Sequence, residues 1–304
     1  LDNDKNMRGG WENDPVSGKD QLVFYAKSAG THTVRISVNS ENYQWKSGSA
    51  YYDFKLTIAE AAVVGLEFFY FDENGQKVSL NNGKRELLGG DTASVTFEYN
   101  TEPFEVFAER IELEGEELKD EYLRTEFATQ FDFSNITAKA YKDGKVINLT
   151  AKITEDDKLS LSAIEAGEYV VTIVPNTDYC WRIGARKDPL VFTLNITQRG
   201  VERPTLIDTE DGGVVNPTSS LKTIVYNKGT QSITVALGEY PLAYTVESWQ
   251  GVDASGNPIQ PVYDLENEEG ARISASALDS GDYILGIIIG DDNNYKWKNK
   301  DYLP

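Results

Sequence analysis

The sequence predicts an all-β protein made of tandem β-sandwiches, with one short helical insertion in its middle unit. Three observations predict this class. A motif made of a small residue, Gly, an aromatic ring, an apolar run and a Tyr-x-Trp occurs three times. Strictly alternating polar and apolar residues follow two of the copies, and Gly, Asn and Asp turn signals separate many short apolar runs. Such alternation is typical of a half-buried strand, and many short strands between turns are typical of a sandwich.

The three copies divide the chain. Their aligned aromatic positions are His32, Tyr43 and Trp45 in the first, Tyr169, Tyr179 and Trp181 in the second, and Tyr283, Tyr295 and Trp297 in the third. The intervals between copies are unequal and far longer than the roughly 20–50 residues of a solenoid repeat, which favours whole domains in tandem. We therefore predict three units: the C-terminal part of a repeat at residues 1–59, a repeat with an insertion at 60–198, and a repeat lacking its last strand at 199–304.

Two strands are the clearest elements of the first unit. A short apolar run at 22–25 precedes the motif, whose apolar residues alternate as far as residue 38. Residues 52–58 then alternate as Tyr52-x-Phe54-x-Leu56-x-Ile58. Because alternate side chains of a strand share a face, one face of this strand is apolar.

The middle unit holds the most elements. Residues 65–70 and 76–80 flank Asp72-Glu-Asn-Gly75, and residues 136–141 and 145–153 flank Asp143-Gly144; both turns predict β-hairpins. Residues 94–99 and 190–196 are further strands. Residues 112–130 are rich in Glu, Leu and Lys and are predicted to be helical. The last unit has no equivalent of this stretch, so it is interpreted as an insertion.

The last unit begins after a linker at 197–204, which Gly and Pro interrupt. Strands are predicted at 221–226, 232–237, 244–252, 259–265, 273–275 and 283–289, with a turn at Ser255-Gly256-Asn257. No counterpart of the strand at 190–196 follows Trp297. The strongly apolar strand at 283–289 is therefore expected to present a free edge, and we predict that another chain or a rearranged strand pairs with it.

The repeated motif resembles a known family at this point. Gly-x-Tyr at the start of a strand looks like the tyrosine corner of immunoglobulin-like sandwiches, and Tyr169 and Tyr283 fit that position, with His32 in the first copy. The whole pattern, with Asn or Asp before Tyr-x-Trp and then Phe-x-Leu-x-Ile, resembles the tandem bacterial immunoglobulin-like repeats of large cell-surface proteins of Gram-positive anaerobes. The resemblance covers the last part of each unit well and the front halves poorly. It implies an extracellular, wall-attached or secreted protein and no activity.

The Tyr-x-Trp side chains have two interpretations. Residues two apart on a strand share a face, so the rings are expected to stack and to cap one end of each sandwich. The rival interpretation is an exposed aromatic platform for sugar rings. Recurrence in every unit favours a structural role, because a sugar site need not recur.

The composition excludes several classes of function. The chain has 304 residues and a formal net charge of −20, which argues against nucleic acid or an anionic membrane surface as a partner. Hydrophobic residues make up 40% of the chain and aromatic residues 11%, as in globular domains. No apolar run approaches the roughly 18 residues that a membrane span needs, so no membrane insertion is expected.

Few residues could carry catalysis. One His and one Cys exclude most zinc sites and catalytic triads, and Cys180 is expected to be inert in the core. We therefore predict no enzyme and no cofactor. Bound Ca²⁺ is an alternative use of the acidic loops at Glu155-Asp156-Asp157, Asp208-x-Glu210-Asp211 and Asp291-Asp292, because Ca²⁺ takes clustered oxygens. None of these loops has EF-hand spacing.

Two functions of different class follow. The first is a non-catalytic extracellular stalk or spacer of a bacterial cell-surface or adhesin-type protein. The second is a carbohydrate- or protein-binding module whose recognition surface lies on the middle unit, at the insertion, with a glycan or surface protein as partner. A remoter alternative is a set of accessory domains of a secreted glycosidase.

Overall fold

The computed structural model describes residues 7–112, 125–184, 186–207, 228–259, 262–266 and 272–299. Its elements are almost all strands, so the prediction of an all-β sandwich class is confirmed. Every ladder in the described part of the chain joins strands that lie within one of the three units.

The first unit consists of two antiparallel ribbons. The pairs are β1 (Met7–Asn13) with β2 (Asp20–Ala26), and β3 (Gly30–Ser37) with β4 (Tyr51–Ile58). Val34 is buried, whereas Tyr52, Phe54 and Leu56 on the apolar face of β4 are exposed. The alternation of β4 therefore forms a strand as predicted, but its apolar face is left open to solvent.

The middle unit is the most complete sandwich. Its strands are β5 (Ala61–Val63), β6 (Leu66–Phe71), β7 (Lys77–Ser79), β8 (Thr92–Glu98), β9 (Phe104–Arg110), β10 (Phe131–Ala140), β11 (Thr150–Ile153), β12 (Leu159–Ala163), β13 (Gly167–Pro175), β14 (Tyr179–Trp181) and β15 (Leu190–Thr197). One sheet has the order β10-β13-β15-β8 and the other β11-β12-β9-β6-β7. The sheets meet where Phe68 of β6 stacks on Phe192 of β15, with ring centroids 4.5 Å apart.

Two local predictions for the middle unit have different outcomes. The turn at Asp72 does join a hairpin of β6 and β7, with Gly75 at a positive φ of 73°. The hairpin predicted at Asp143-Gly144 is wrong, because β10 pairs with β13 whereas β11 pairs with β12 in the opposite sheet. The chain crosses between the sheets at this turn.

The helical prediction for residues 112–130 is met only at its end. The described helix, α1, is a single turn at Phe127–Gln130, and its Phe127 is fully buried. Glu112 is not helical, and residues 113–124 lie outside the described residues.

The described part of the last unit has two smaller sheets and one two-stranded ladder. Its strands are β16 (Arg199–Val201), β17 (Thr205–Ile207), β18 (Gln231–Ala236), β19 (Tyr244–Val252), β20 (Pro258–Ile259), β21 (Val262–Glu266), β22 (Arg272–Ala277), β23 (Asp282–Ile289) and β24 (Tyr295–Trp297), with a 3-10 turn at Pro241–Ala243. The sheet orders are β17-β18-β22-β21 and β20-β19-β23. The strand predicted at 221–226 lies outside the described residues.

Candidate functional site

The aligned ring of all three motif copies makes the same hydrogen bond. Each ring atom bonds to the carbonyl oxygen four residues upstream: His32 Nε2 to Ser28 at 2.9 Å, Tyr169 OH to Glu165 at 2.7 Å, and Tyr283 OH to Asp279 at 2.9 Å. Since the carbonyl can only accept, Nε2 of His32 carries the proton. Burial, followed by the charge of Glu165, raises the pKa of Tyr169 to about 12. These three rings therefore hold the turn before the strand.

The Tyr-x-Trp segments of the later copies form short parallel ladders. Strand β14 pairs with β5, and β24 pairs with β16, so each motif is bonded to the strand that leads into its own unit. The registers correspond, with Tyr179 opposite Ala61 and Tyr295 opposite Arg199. The motif therefore closes each unit onto its entry strand.

The rings of the motif pack against other parts of the fold. Trp181 is buried, lies 5.4 Å from Phe131 between ring centroids, and donates from Nε1 to the carbonyl of Asp188 at 2.8 Å. Tyr43 of the first copy is 76% exposed, and Trp45 lies 6.0 Å from Tyr52. Trp297 contacts Tyr244 of β19 at 5.9 Å. These contacts differ from the stacked Tyr–Trp pair that the sequence suggested.

The residue before the Tyr-x-Trp of the second and third copies, here called the joint residue, connects consecutive units. At the first joint this residue is Asp178, whose Oδ1 accepts from the backbone N–H of Ala29 in the first unit at 2.8 Å. Its carbonyl accepts from the N–H of Ala61 in the entry strand at 2.8 Å. Lys187 and Glu60 form an ion pair at 2.8 Å. Asp178 thus accepts hydrogen bonds both from the preceding unit and from the strand that leads into its own unit.

Asn294 makes the same two bonds at the second joint. Its Oδ1 accepts from the N–H of Ala166 at 2.6 Å, and its carbonyl accepts from the N–H of Arg199 at 2.9 Å. Ala166 precedes Gly167 just as Ala29 precedes Gly30, so the partners are equivalent in both joints. Asn294 Nδ2 also donates to the carboxylates of Glu165 at 2.6 Å and Asp291 at 2.8 Å. Asn294 and Ala166 are both buried, so the bond between them is shielded from water.

Asn293 adds a second connection at the same place. Its Oδ1 accepts from the N–H groups of Tyr141 at 3.0 Å and Lys142 at 3.1 Å, and its Nδ2 donates to the carbonyl of Ala166 at 2.9 Å. Asn293 is 1% exposed. Lys142 forms an ion pair with Asp292 of the same loop. The loop at 291–294 is therefore seated between two turns of the middle unit.

An aromatic cluster lies beside the second joint. Tyr99 at the end of β8 meets Tyr295 edge to face, with centroids 5.2 Å apart, and Tyr240 lies 6.1 Å from Tyr295. The guanidinium of Arg199 lies over the ring of Tyr240 at 4.6 Å. Burial, followed by the charges of Tyr295 and Asp291, raises the pKa of Tyr99 to about 12. The second joint thus combines apolar packing with hydrogen bonds.

The joint residue was missed when the motif was interpreted from sequence. The signal was available, because Asn42, Asp178 and Asn294 precede the Tyr in the three copies. We read this position as part of a polar turn. A turn explains Asn or Asp equally well, so composition could not indicate that the side chain reaches another unit.

Several of the Cys and acidic side chains named above have structural roles in the described part of the chain. Cys180 is buried, and burial raises the pKa of its thiol. Asp157 forms an ion pair with Arg110, while Asp291 and Asp292 take part in the second joint. The loop at 208–211 lies outside the described residues. Within the described ranges, no group of three or more His, Cys, Asp or Glu side chains could hold a metal ion.

Two findings bear on partners and relatives. Among the helices of the described residues, none is long and apolar enough to cross a membrane. No protein-family model matches the chain, and no curated protein is significantly similar to it.

Proposed function

We propose that the chain is a non-catalytic spacer, a row of immunoglobulin-like units in a bacterial extracellular or cell-surface protein that holds neighbouring parts of the molecule at a set distance and orientation. The observation that supports it most is the recurrence of one joint. Asp178 and Asn294 accept hydrogen bonds from equivalent backbone N–H groups, one in the preceding unit and one at the strand that leads into their own unit. A joint that repeats in this way orients each unit against the next by the same contacts.

The chemistry of the joint suits this role. Side chains of the next unit accept hydrogen bonds from backbone N–H groups at the joint. Bending the joint would break these bonds and leave buried donors without a partner. An unsatisfied buried donor costs about 1–3 kcal/mol. The second joint carries the bonds of two buried Asn side chains in addition to ring contacts. A spacer that must keep its orientation needs such resistance to bending.

Small-angle X-ray scattering tests the proposal. The intact protein should give a narrow distribution of sizes, and the double variant Asn293→Ala with Asn294→Ala should give a broader one. Asn42→Ala is the matched control, because it changes the equivalent residue of the first copy, which is exposed. Equal distributions for all three proteins would contradict the proposal, as would tight and specific capture by a glycan or surface-protein array.

A second candidate, a binding module on the middle unit, is favoured by the way the insertion is anchored. Phe127 is fully buried, and its N–H donates to Asp157 Oδ1 at 2.8 Å. Arg110 Nη1 donates to the carbonyl of Thr125 at 2.5 Å and to Gln130 at 3.2 Å. These contacts fix residues 125–130, the C-terminal end of the predicted insertion.

Deletion of residues 113–124 separates the two candidates. This deletion keeps Phe127 and Arg110, so the middle unit should remain folded by circular dichroism. Loss of a glycan- or protein-binding signal present in the intact chain would favour the binding module. Unchanged folding with no such signal in either protein would leave the spacer as the function of this unit.

A further inference from the structure

The corner and the joint meet on one peptide group. In the first copy, His32 Nε2 donates to the carbonyl of Ser28 at 2.9 Å, and the N–H of the next residue, Ala29, donates to Asp178 Oδ1 at 2.8 Å. This carbonyl and this N–H belong to the same peptide bond. A continuous chain of hydrogen bonds therefore runs from the ring of His32 in the first unit to the carboxylate of Asp178 in the middle unit.

The second joint repeats this chain with different end groups. Tyr169 OH donates to the carbonyl of Glu165 at 2.7 Å, and the N–H of Ala166 donates to Asn294 Oδ1 at 2.6 Å. The side-chain amide of Asn294 does not titrate, and burial raises the pKa of Tyr169 to about 12. Both end groups of this chain are therefore neutral near physiological pH.

Both end groups of the first chain can carry a charge. Histidine is the side chain whose ordinary pKa places its change of charge between about pH 5 and pH 8, and carboxylates are normally ionised over that range. Hydrogen bonds in a chain polarise one another, and a bond with a charged partner is stronger than a neutral one. A proton on His32 therefore strengthens both bonds, because the two charges polarise the peptide group in the same direction.

The other charged groups around this chain are turned away from it or paired. Charged residues of the same ribbon alternate with His32 and face its other side: Arg35, Asp53 and Lys55. Lys27, which follows β2, is exposed. Across the joint, Lys187 and Glu60 pair with each other at 2.8 Å. Asp178 is the carboxylate that the hydrogen bonds connect to His32.

We propose that the first joint is a pH-responsive connection, in which protonation of His32 strengthens the bond between Asp178 and the first unit and loss of that proton weakens it. The second joint, with Tyr169 and Asn294 at the same positions, keeps one strength over this pH range. The inference rests on the proposed spacer function, because it adds regulation to one of the joints that orient the units.

The direction of the effect follows from linkage. The negative charge of Asp178 raises the pKa of His32 while the joint is closed, relative to an open joint in which the two groups are apart. The added stability of the joint is therefore fully present below the pKa of the open state, and it is lost as the pH rises through the pKa of the closed state. We expect the opening equilibrium to change about two- to fivefold, as is usual for a charge pair near the surface.

The ring of His32 gives a direct reading, because the chain has one His. Its ring protons can be followed by NMR from about pH 5 to about pH 8 in the intact protein. Asp178→Asn keeps an acceptor for the N–H of Ala29 and removes the charge, and it should move the titration of His32 to lower pH. Asp53→Asn is the matched control, because it removes one exposed carboxylate of the first unit and should leave the titration in place.

Amide exchange at Ala29 measures the joint itself. After correction for the intrinsic rate, protection of this N–H in the intact protein should be about two- to fivefold higher at about pH 5.5 than at about pH 7.5. Protection of the N–H of Ala166, at the same position of the second joint, should be equal at both values. His32→Tyr introduces the ring of the other two copies, and it should remove the pH dependence at Ala29.

Three results would overturn the proposal. The first is the same titration of His32 in Asp178→Asn and Asp53→Asn, which does not depend on whether His32→Tyr folds. The second is equal protection of Ala29 at the two pH values in the intact protein. The third is a pH dependence at Ala29 that persists in His32→Tyr. The spacer function is tested at the second joint, through variants of Asn293 and Asn294, so its failure would leave these readings unchanged.

Discussion

The bonds of Asn294 offer the sharpest test of the joint between the middle and last units. Asn294→Ala removes the acceptor for the N–H of Ala166 and both donors to the carboxylates of Glu165 and Asp291. Ala166 is fully buried, so its N–H loses its partner in a place that water does not reach. The units should then separate more readily while each remains folded.

The expected magnitude follows from the burial of the groups involved. Leaving a buried donor without a partner costs about 1–3 kcal/mol, and a hydrogen bond to a charged group contributes about 1.5–3 kcal/mol. Glu165 is partly exposed, with 35% of its side chain accessible, so water replaces part of its loss. We expect a loss of about 2–4 kcal/mol in the free energy of opening the joint.

Native-state amide exchange at Tyr141 measures this loss, because its N–H donates to Asn293 Oδ1 across the joint and keeps that partner in the variant. The loss corresponds to roughly 30- to 700-fold faster exchange, since each 1.4 kcal/mol is a factor of about ten. Asn42→Ala should change the free energy of exchange at Tyr141 by less than about 0.5 kcal/mol, as is usual for exposed substitutions. If the two variants give the same exchange at Tyr141, the reasoning about the joint is refuted.

The variant Asn294→Asp separates the acceptor from the donors. It keeps an oxygen for the N–H of Ala166 but places a third carboxyl beside Glu165 and Asp291. Repulsion raises the pKa of the new group in the folded state, so the unfolded state releases its proton at lower pH. The free energy of unfolding of this variant should therefore fall as the pH rises through about 4, relative to Asn294→Ala. A pH-independent difference between the two variants would contradict this account.

Three further predictions concern three tyrosines and one glycine. Tyr169→Phe removes a buried bond of 2.7 Å and should lower the free energy of unfolding by about 0.5–1.5 kcal/mol, with a smaller effect for the more exposed Tyr283→Phe in denaturant titrations. Because burial raises the folded-state pKa of Tyr169 and Tyr244 to about 12, the unfolded state ionises first, and stability should fall from about pH 10 to pH 12. The part of the phenolate absorbance that Tyr169→Phe removes should appear together with unfolding. A Cβ at Gly167 would meet Ile147 Cδ1 and would lie 2.7 Å from the backbone oxygen of Lys139, which cannot move aside easily, so Gly167→Ala should destabilise by about 1–3 kcal/mol, whereas Gly10→Ala, with open space around it, should not. Equal melting temperatures for the two glycine variants would contradict the last prediction.

Patterns within single elements predicted the fold class. The alternation of β4 and β15 identified both strands, because a period of two is set by the pleat itself. The hairpin at Asp72 followed from turn chemistry that acts over a few residues. The corner positions, including the substitution of His32 for Tyr, could be found because the motif recurs.

Interactions between elements were beyond the sequence patterns. Asp143-Gly144 has the composition of a hairpin turn, but turn chemistry does not determine whether the next strand joins the same sheet or crosses to the other. The role of Asn294 depends on the N–H of Ala166, more than a hundred residues away, which no local pattern encodes. Its recurrence as Asn or Asp was the one available signal.

The parallel ladders have a mechanical consequence. Tension along the chain enters the middle unit through β5, which runs parallel to β14, and leaves it through β15, which runs parallel to β8. Pulling the two ends apart slides each terminal strand lengthwise along its partner. Under such shear all hydrogen bonds of a ladder are strained together, whereas peeling breaks them one after another. The arrangement of β5, β14, β8 and β15 therefore places both terminal strands of this unit in shear geometry.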